Sequence, residues 1–175
     1  IKKEKLENLI ERGKAAERED TRLDIQDTSN SSIIKAPSSF KGNLKEYQLK
    51  GLKWLDSLYC QGINGILADE MGLGKQFKNF LLAHLTENKD VWGPFLVIAP
   101  ATTLFNWKKE IEQFCPSLKV LPYWGNLGER KVLRKFFNPK YLSYKYSPFH
   151  VLITSYNLIQ TDEKYFHKPY WHYMI

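Results

Sequence analysis

Apolar positions change period several times along the chain, and each change marks an element. Between Leu44 and Tyr59, the residues Leu52, Leu55, Leu58 and Tyr59 fall on one face at helical spacing, which predicts a helix with one buried stripe. Ile63 to Ala68 is a short apolar run that predicts a strand, and Phe77 to Leu85 returns to helical spacing. Phe95 to Ala99 is β-rich and closed by Pro100, and beyond it Trp107, Ile111 and Phe114 recur at i, i+4 and i+7. Leu118 to Tyr123 predicts a strand, Glu129 to Phe137 a basic helix, and Val151 to Tyr156 another strand. Strands alternating with helices build a parallel sheet covered on both faces. The expected class is therefore α/β, with parallel strands at 63–68, 95–99, 118–123 and 151–156.

The ends follow a different pattern. Residues 1 to 20 carry six basic and six acidic side chains, with Leu6, Leu9 and Ile10 as a thin apolar stripe. Such a helix needs a partner to be stable. Thr28 to Phe40 is rich in Ser, Thr, Asn and Pro, the composition of a linker. The expected organisation is a charged helical segment at 1–25, a linker at 26–40 and a globular part at 41–175. The chain starts at Ile1 rather than Met and stops inside the apolar, strand-like run Trp171 to Ile175, so a fragment of a longer protein is expected.

Composition narrows the function classes. A chain of 175 residues with 43% hydrophobic and 14% aromatic residues can bury a core, which excludes wholesale disorder. The longest apolar run, Phe95 to Ala101, is seven residues, far below the ~20 that cross a bilayer, so no membrane span is expected. Cys60 and Cys115 sit in no C-x-x-C arrangement and are expected to be small buried hydrophobes in a reducing compartment. The four histidines, at 84, 150, 167 and 172, lack the pairing of a metalloprotease helix. No metal site built from protein side chains alone is expected.

The chemistry concentrates in Asp69-Glu70-Met71-Gly72-Leu73-Gly74-Lys75, between a predicted strand and a predicted helix. Glycines let backbone N–H groups turn inward around phosphate oxygens, a helix N-terminus adds its dipole, and the lysine adds a mobile positive charge. The order of strand, loop, lysine and helix favours a phosphate cradle over a plain Gly-rich turn. Gln76 complicates it, because the position after the lysine ordinarily offers a hydroxyl to Mg²⁺, and that ion tolerates little displacement of its ligands. Gln48 opens the first helix; its amide can donate and accept at once, as reading an adenine edge requires, although from this residue alone a solvated glutamine on a helix face is the better reading.

Positive charge is also localised. The chain carries 26 Lys or Arg against 19 Asp or Glu, and between Leu104 and Lys145 there are nine basic residues against three glutamates. Phe105, Trp107, Tyr123, Trp124, Tyr141 and Tyr144 are interleaved with them. Such a patch suits a polyphosphate backbone, with Lys108 and Arg130 among the candidate contacts, and suits a solvated helix face as well.

These segments together resemble a known family. The runs LKEYQLKGLKWL (44–55), GILADEMGLGK (65–75), PATTLFNWKKEI (100–111) and ITSYNLI (153–159) occur in the order found in the Swi/Snf family of superfamily-two helicase-like ATPases. They look like its Q motif, motif I, motif Ia and a later DNA-contacting motif. WGPFLVIAP (92–100), LPYWGN (121–126), RKVLRKFF (130–137) and PFHVLITSY (148–156) are similar to the Ino-eighty subfamily of chromatin remodellers. Residues 1–25 resemble, more weakly, a helix preceding the motor in such proteins.

The resemblance implies an incomplete RecA-like first lobe, with a parallel sheet flanked by helices and preceded by an N-terminal helix. It implies that Gln48 contacts adenine, that the loop from Asp69 to Lys75, with Gln76, holds ATP, and that Thr102, Thr103, Thr154 and Ser155 face a DNA backbone. Hydroxyls at strand ends and helix starts suit phosphate, although Thr102 and Thr103 could equally be N-caps. It further implies a nuclear protein that works with Mg²⁺ on DNA or nucleosomes, beside complex subunits including actin-related proteins, in chromatin remodelling, transcription regulation and DNA repair. Two departures stand out: the family has Thr where Gln76 stands, and its following helix looks one residue longer. No carboxylate motif for Mg²⁺ follows Ile175, so this chain alone is expected to contain no catalytic residue and to turn over no ATP. The rival reading is a catalytically inactive DNA- or protein-binding module; a P-loop kinase is disfavoured because no substrate-site motif accompanies the loop.

Overall fold

The computed structural model describes residues 37–43, 45–67 and 76–175. The chain divides into two units, Ile1–Ile33 and Ile34–Ile175. The expected helix at 1–25 and most of the expected linker lie outside the described residues, as does the loop at 68–75.

Helix α1, Glu46–Gln61, begins after an extended Lys45. The Gln48 side-chain oxygen accepts from the Lys45 N–H at 2.9 Å, and the Gln48 N–H donates to the Lys45 carbonyl at 3.0 Å. This reciprocal pair satisfies donors that a helix start leaves open. The helix ends at Gly62, whose φ of 67° is the left-handed turn that glycine adopts without a Cβ penalty. Helix α2, Gln76–Asn88, leads into β1, Phe95–Ile98; α3, Leu104–Phe114, leads into β2, Val120–Pro122. Next come α4, Leu127–Leu133, and β3, Val151–Thr154. The chain then forms α5, Tyr156–Thr161, α6, Glu163–Phe166, and β4, Tyr173–Met174.

The four strands form one sheet in the order β2–β3–β1–β4, parallel throughout, with Phe95 opposite both Val151 and Tyr173, and Val120 also opposite Val151. Successive side chains in a strand point to opposite faces, and the two cores obey that alternation. Phe95, Val97, Val151 and Ile153 pack with Leu52 and Leu55 of α1, Leu81, Leu82 and Leu85 of α2, and Leu104 and Ile111 of α3. Leu96 and Leu152 face the other way, into an aromatic cluster of Tyr123, Phe137, Phe149 and Phe166. Each fully buried aliphatic side chain on these faces contributes roughly 1.5–3 kcal/mol. The α/β class, the parallel sheet and the flanking helices are as the sequence predicts.

One predicted strand is absent among the described residues. Residues 63–67 belong to no strand, with Ile63, Ile66 and Leu67 at 50%, 89% and 38% exposure. Both edges of β1 are taken, by β3 and by β4, and the run joins neither of the sheet's open edges, at β2 and β4. The predicted basic helix at 129–137 starts earlier and tightens: after α4, Arg134–Phe136 is a 3-10 turn. Packing also begins before Lys41. Phe40 is buried with its ring stacked on Phe114, 5.9 Å between centroids. Glu87 accepts the backbone N–H groups of Ser38 and Ser39 at 2.8 and 2.9 Å, and their hydroxyls as well. Those bonds lower the Glu87 carboxyl to about 2.

Candidate phosphate-binding and nucleic-acid interface

Backbone bonds level the carboxyl ends of three strands. The Ala99 N–H donates to the Thr154 carbonyl at 3.0 Å and the Tyr123 N–H to the Ile153 carbonyl at 2.8 Å. The segments leaving β1 and β3 therefore start side by side, at the end where open α/β sheets place ligands. The first carries Thr102 and Thr103 in a 3-10 turn that runs into α3. Thr102 is exposed, while the Thr103 hydroxyl is turned back onto the Pro100 carbonyl at 2.9 Å and caps nothing. The second segment carries Thr154 and Ser155. Thr154 is buried and its hydroxyl donates to the Tyr123 carbonyl at 3.1 Å, so it ties β3 to the end of β2 rather than facing outward. Ser155, also buried, is the extended residue before α5. Of the four hydroxyls expected on a DNA backbone, Thr102 is the one that is exposed and has no hydrogen bond among the described residues.

The structure divides the basic patch. Arg130 is buried: its Nε donates to Asp162 at 2.7 Å and its Nη1 to the Gly125 carbonyl at 2.6 Å. Arg134 pairs with the other Asp162 oxygen, donates to the Tyr123 hydroxyl at 2.8 Å and lies 3.8 Å over the Tyr165 ring. The Tyr123 hydroxyl in turn donates to Asp162 at 2.7 Å. Burial pushes the Asp162 carboxyl up, but hydrogen bonds from Tyr123, Arg134 and Arg130 outweigh it and hold the group below its ordinary value. Arg130 is thus an internal cation, not a surface one. Lys108 pairs with Glu112 one helical turn on, at 3.5 Å. Lys119 donates to the Ser147 carbonyl at 2.9 Å, and Lys145 lies 5.7 Å from the Trp92 ring centroid. Asp162 is the residue that sequence reasoning passed over; no local spacing announces a carboxylate 32 positions from Arg130.

Asp69 to Lys75 lie outside the described residues, and Gln48, expected on adenine, is engaged with the backbone of Lys45. In sequence, Gly72, Gly74 and Lys75 directly precede the first turn of α2. Among the described residues no three His, Cys, Asp or Glu side chains stand together. Cys115 is buried, as expected, and burial pushes its thiol up to about 12; Cys60 is exposed, contrary to expectation, on the outer side of α1.

With this geometry in view, likeness to known proteins is specific. The fold matches the SWI2/SNF2 ATPase core of Sulfolobus solfataricus in complex with dsDNA, with a TM-score of 0.66 at 26% identity over 82% of this chain and 27% of that one. The same core solved as the ATPase core domain matches at 0.65, also at 26% identity, over 83% and 27%. The sheet is thus that of a RecA-like ATPase lobe, and the SNF2-related domain model matches residues 47–175. The chain belongs to the SNF2-related domain family. Among curated relatives, "Chromatin-remodeling ATPase INO80" of Mycosarcoma maydis is 57% identical over 165 residues, 93% of this chain and 9% of the relative. The proteins of the same name from Arabidopsis thaliana and Saccharomyces cerevisiae are each 59% identical, over 82% and 81% of this chain and 10% of each relative. The chain spans about a tenth of the length of the curated relatives it matches.

Proposed function

We propose that this chain is the nucleotide-binding first lobe of an ATP-driven DNA translocase that slides nucleosomes in the nucleus. The carrying observation is the adjacency of the Thr102 and Ser155 segments at the carboxyl ends of β1 and β3, in a family whose solved core is described in complex with dsDNA. The loop from Asp69 to Lys75 binds the polyphosphate of ATP through its amides and Lys75. Thr102 grips one DNA strand by phosphate, which positions the duplex without reading its sequence. Lys108 adds charge beside Thr102. Mg²⁺ beside the loop at Lys75 and Gln76 would supply charge neutralisation for phosphoryl transfer, and closure of two lobes on ATP advances the DNA. Actin-related proteins and other complex subunits complete the assembly.

Calorimetric titration of ATP and ADP into the chain tests the nucleotide half. Lys75→Ala weakens binding at least tenfold if the loop is the site, and Mg²⁺ changes the affinity little while Gln76 stands in place of a hydroxyl. Gln76→Thr then restores part of the Mg²⁺ dependence. Unchanged ATP affinity in Lys75→Ala refutes the assignment.

A further inference from the structure

Beyond α4 the chain takes a course that neither the nucleotide loop nor the proposed DNA grip uses. A trough of about 670 Å³ opens beside the amino-terminal end of β3, walled by Phe136, Tyr141, Tyr144 and Tyr146 and flanked by Lys135 and Lys140. The rings are exposed at 43%, 64%, 62% and 87%. Contiguous exposed apolar surface of this kind marks an interaction site more often than chance packing. Its volume lies in the range of about 300–1,000 Å³ that encloses drug-sized ligands. It therefore takes a few side chains of a partner, not a domain.

The walls are fixed although the rings are bare. The Tyr144 N–H donates to the Ser147 hydroxyl at 2.9 Å, and the Lys119 ammonium holds the Ser147 carbonyl at 2.9 Å. His150 is buried beneath: its Nδ1 accepts the Lys119 N–H at 3.0 Å, which leaves Nε2 to donate to the Lys145 carbonyl at 3.1 Å. Phe137 and Leu142 are buried in the aromatic core on either side of the wall residues. A trough held this way is formed before a ligand arrives, which lowers the ordering cost of binding.

Charge indicates the occupant. Arg130 and Arg134, just before the trough, are matched by Asp162, whereas Lys135 and Lys140 meet no acidic side chain among the described residues. Two cations around a mainly apolar floor match a segment with one or two carboxylates. They do not match a duplex strand, which presents a phosphate every ~3.4 Å and is met by a run of cations. Tyrosine faces beside Pro148 suit an extended, proline-containing backbone. The trough also lies at the opposite end of β3 from Thr154 and Ser155, so it does not extend the DNA grip. We infer that the trough between Lys135 and Lys140 docks an extended acidic peptide of a partner protein, its proline and aromatic side chains on Tyr141 and Tyr144 and its carboxylates against the two lysines.

Fluorescence anisotropy with three labelled probes tests this on the full chain: a peptide of about twelve residues alternating Asp and Glu with Leu, Phe and Pro, the same peptide with Lys at every acidic position, and an oligothymidylate of equal length. The acidic peptide binds at least tenfold more tightly than either other probe, and Tyr144→Ala and the Lys135→Glu, Lys140→Glu pair each weaken it at least tenfold. These residues are exposed, and an unchanged melting temperature for each variant shows that the fold survives. Lys140→Gln serves as a second, milder variant with a smaller loss. Equal binding of the lysine peptide, tighter binding of the oligothymidylate, or acidic-peptide binding indifferent to these variants overturns the inference, as does the absence of binding at millimolar peptide.

Discussion

Arg130 and Arg134 stand within a few residues of Lys135 and Lys140, yet the first two are folded inward onto Asp162 and the second two lie in solvent. The guanidinium accounts for the difference: its planar fork is less strongly hydrated than an ammonium and can share one carboxylate with a neighbour while donating to other acceptors. Asp162, the Tyr123 hydroxyl and the Gly125 carbonyl supply those acceptors. A lysine is a compact, well-hydrated charge that gains little from the same burial. One basic segment therefore contributes internal architecture in its first half and recognition surface in its second, and a count of charges along the chain overstates the second role.

The largest expected effect comes from removing the shared acid. Asp162→Ala leaves two inward-facing guanidiniums uncompensated and costs about 3–5 kcal/mol in urea unfolding, whereas Lys135→Ala or Lys140→Ala stays within about 0.5 kcal/mol. Similar losses in the two halves would break the comparison. Asn79 sharpens it from the other direction. Both polar atoms of its amide are buried without a hydrogen-bond partner among the described residues, so Asn79→Leu is expected to stabilise the fold by about 1–3 kcal/mol.

Acid titration comes next in size. Asp162 and Glu87 both have folded values below their unfolded ones, so the unfolded chain takes up protons first and stability declines on acidification. For Glu87 the loss runs from about 4.5 down to about 2, and Glu87→Gln removes that limb from the curve of unfolding free energy against pH. His150 acts in a higher window. Burial pulls its imidazole below 6.5, so its neutral form supports the wall of the trough at neutral pH and that contribution falls as pH drops through 6.5; His150→Gln flattens the change. The smallest effect is chemical: iodoacetamide labels exposed Cys60 and spares Cys115, whose buried thiol is pushed up to about 12. Equal labelling of both in the native protein contradicts the packing of α3.

The α/β class and three of the predicted strands were legible because continuous apolar runs closed by Pro100 or by polar residues are what a buried parallel strand requires. The stripe of Trp107, Ile111 and Phe114 located α3 for the same reason. At 63–68 periodicity marks an apolar run but not a partner edge, and residues 63–67 pair with neither open edge of the sheet, at β2 or at β4. The contact of Arg130 with Asp162 is not legible because the partner is distant in sequence, nor that of Thr154 with its own sheet, because a strand-end hydroxyl suits a phosphate as readily. Gln48 shows the same ambiguity, with its side-chain oxygen on the Lys45 N–H at the start of α1.

The most direct measurement is binding of a labelled DNA duplex across a range of salt concentrations, with Thr102→Glu set against Lys140→Gln. If the carboxyl ends of β1 and β3 carry the phosphate contacts, affinity is independent of sequence and falls by about 0.9 log units per phosphate neutralised for each log unit of salt. Thr102→Glu then weakens binding at least tenfold at low salt, and Lys140→Gln leaves it within about twofold. Loss of binding in Lys140→Gln with Thr102→Glu unaffected, or affinity indifferent to salt, contradicts the division of the lobe into a phosphate-gripping end and a peptide-docking trough.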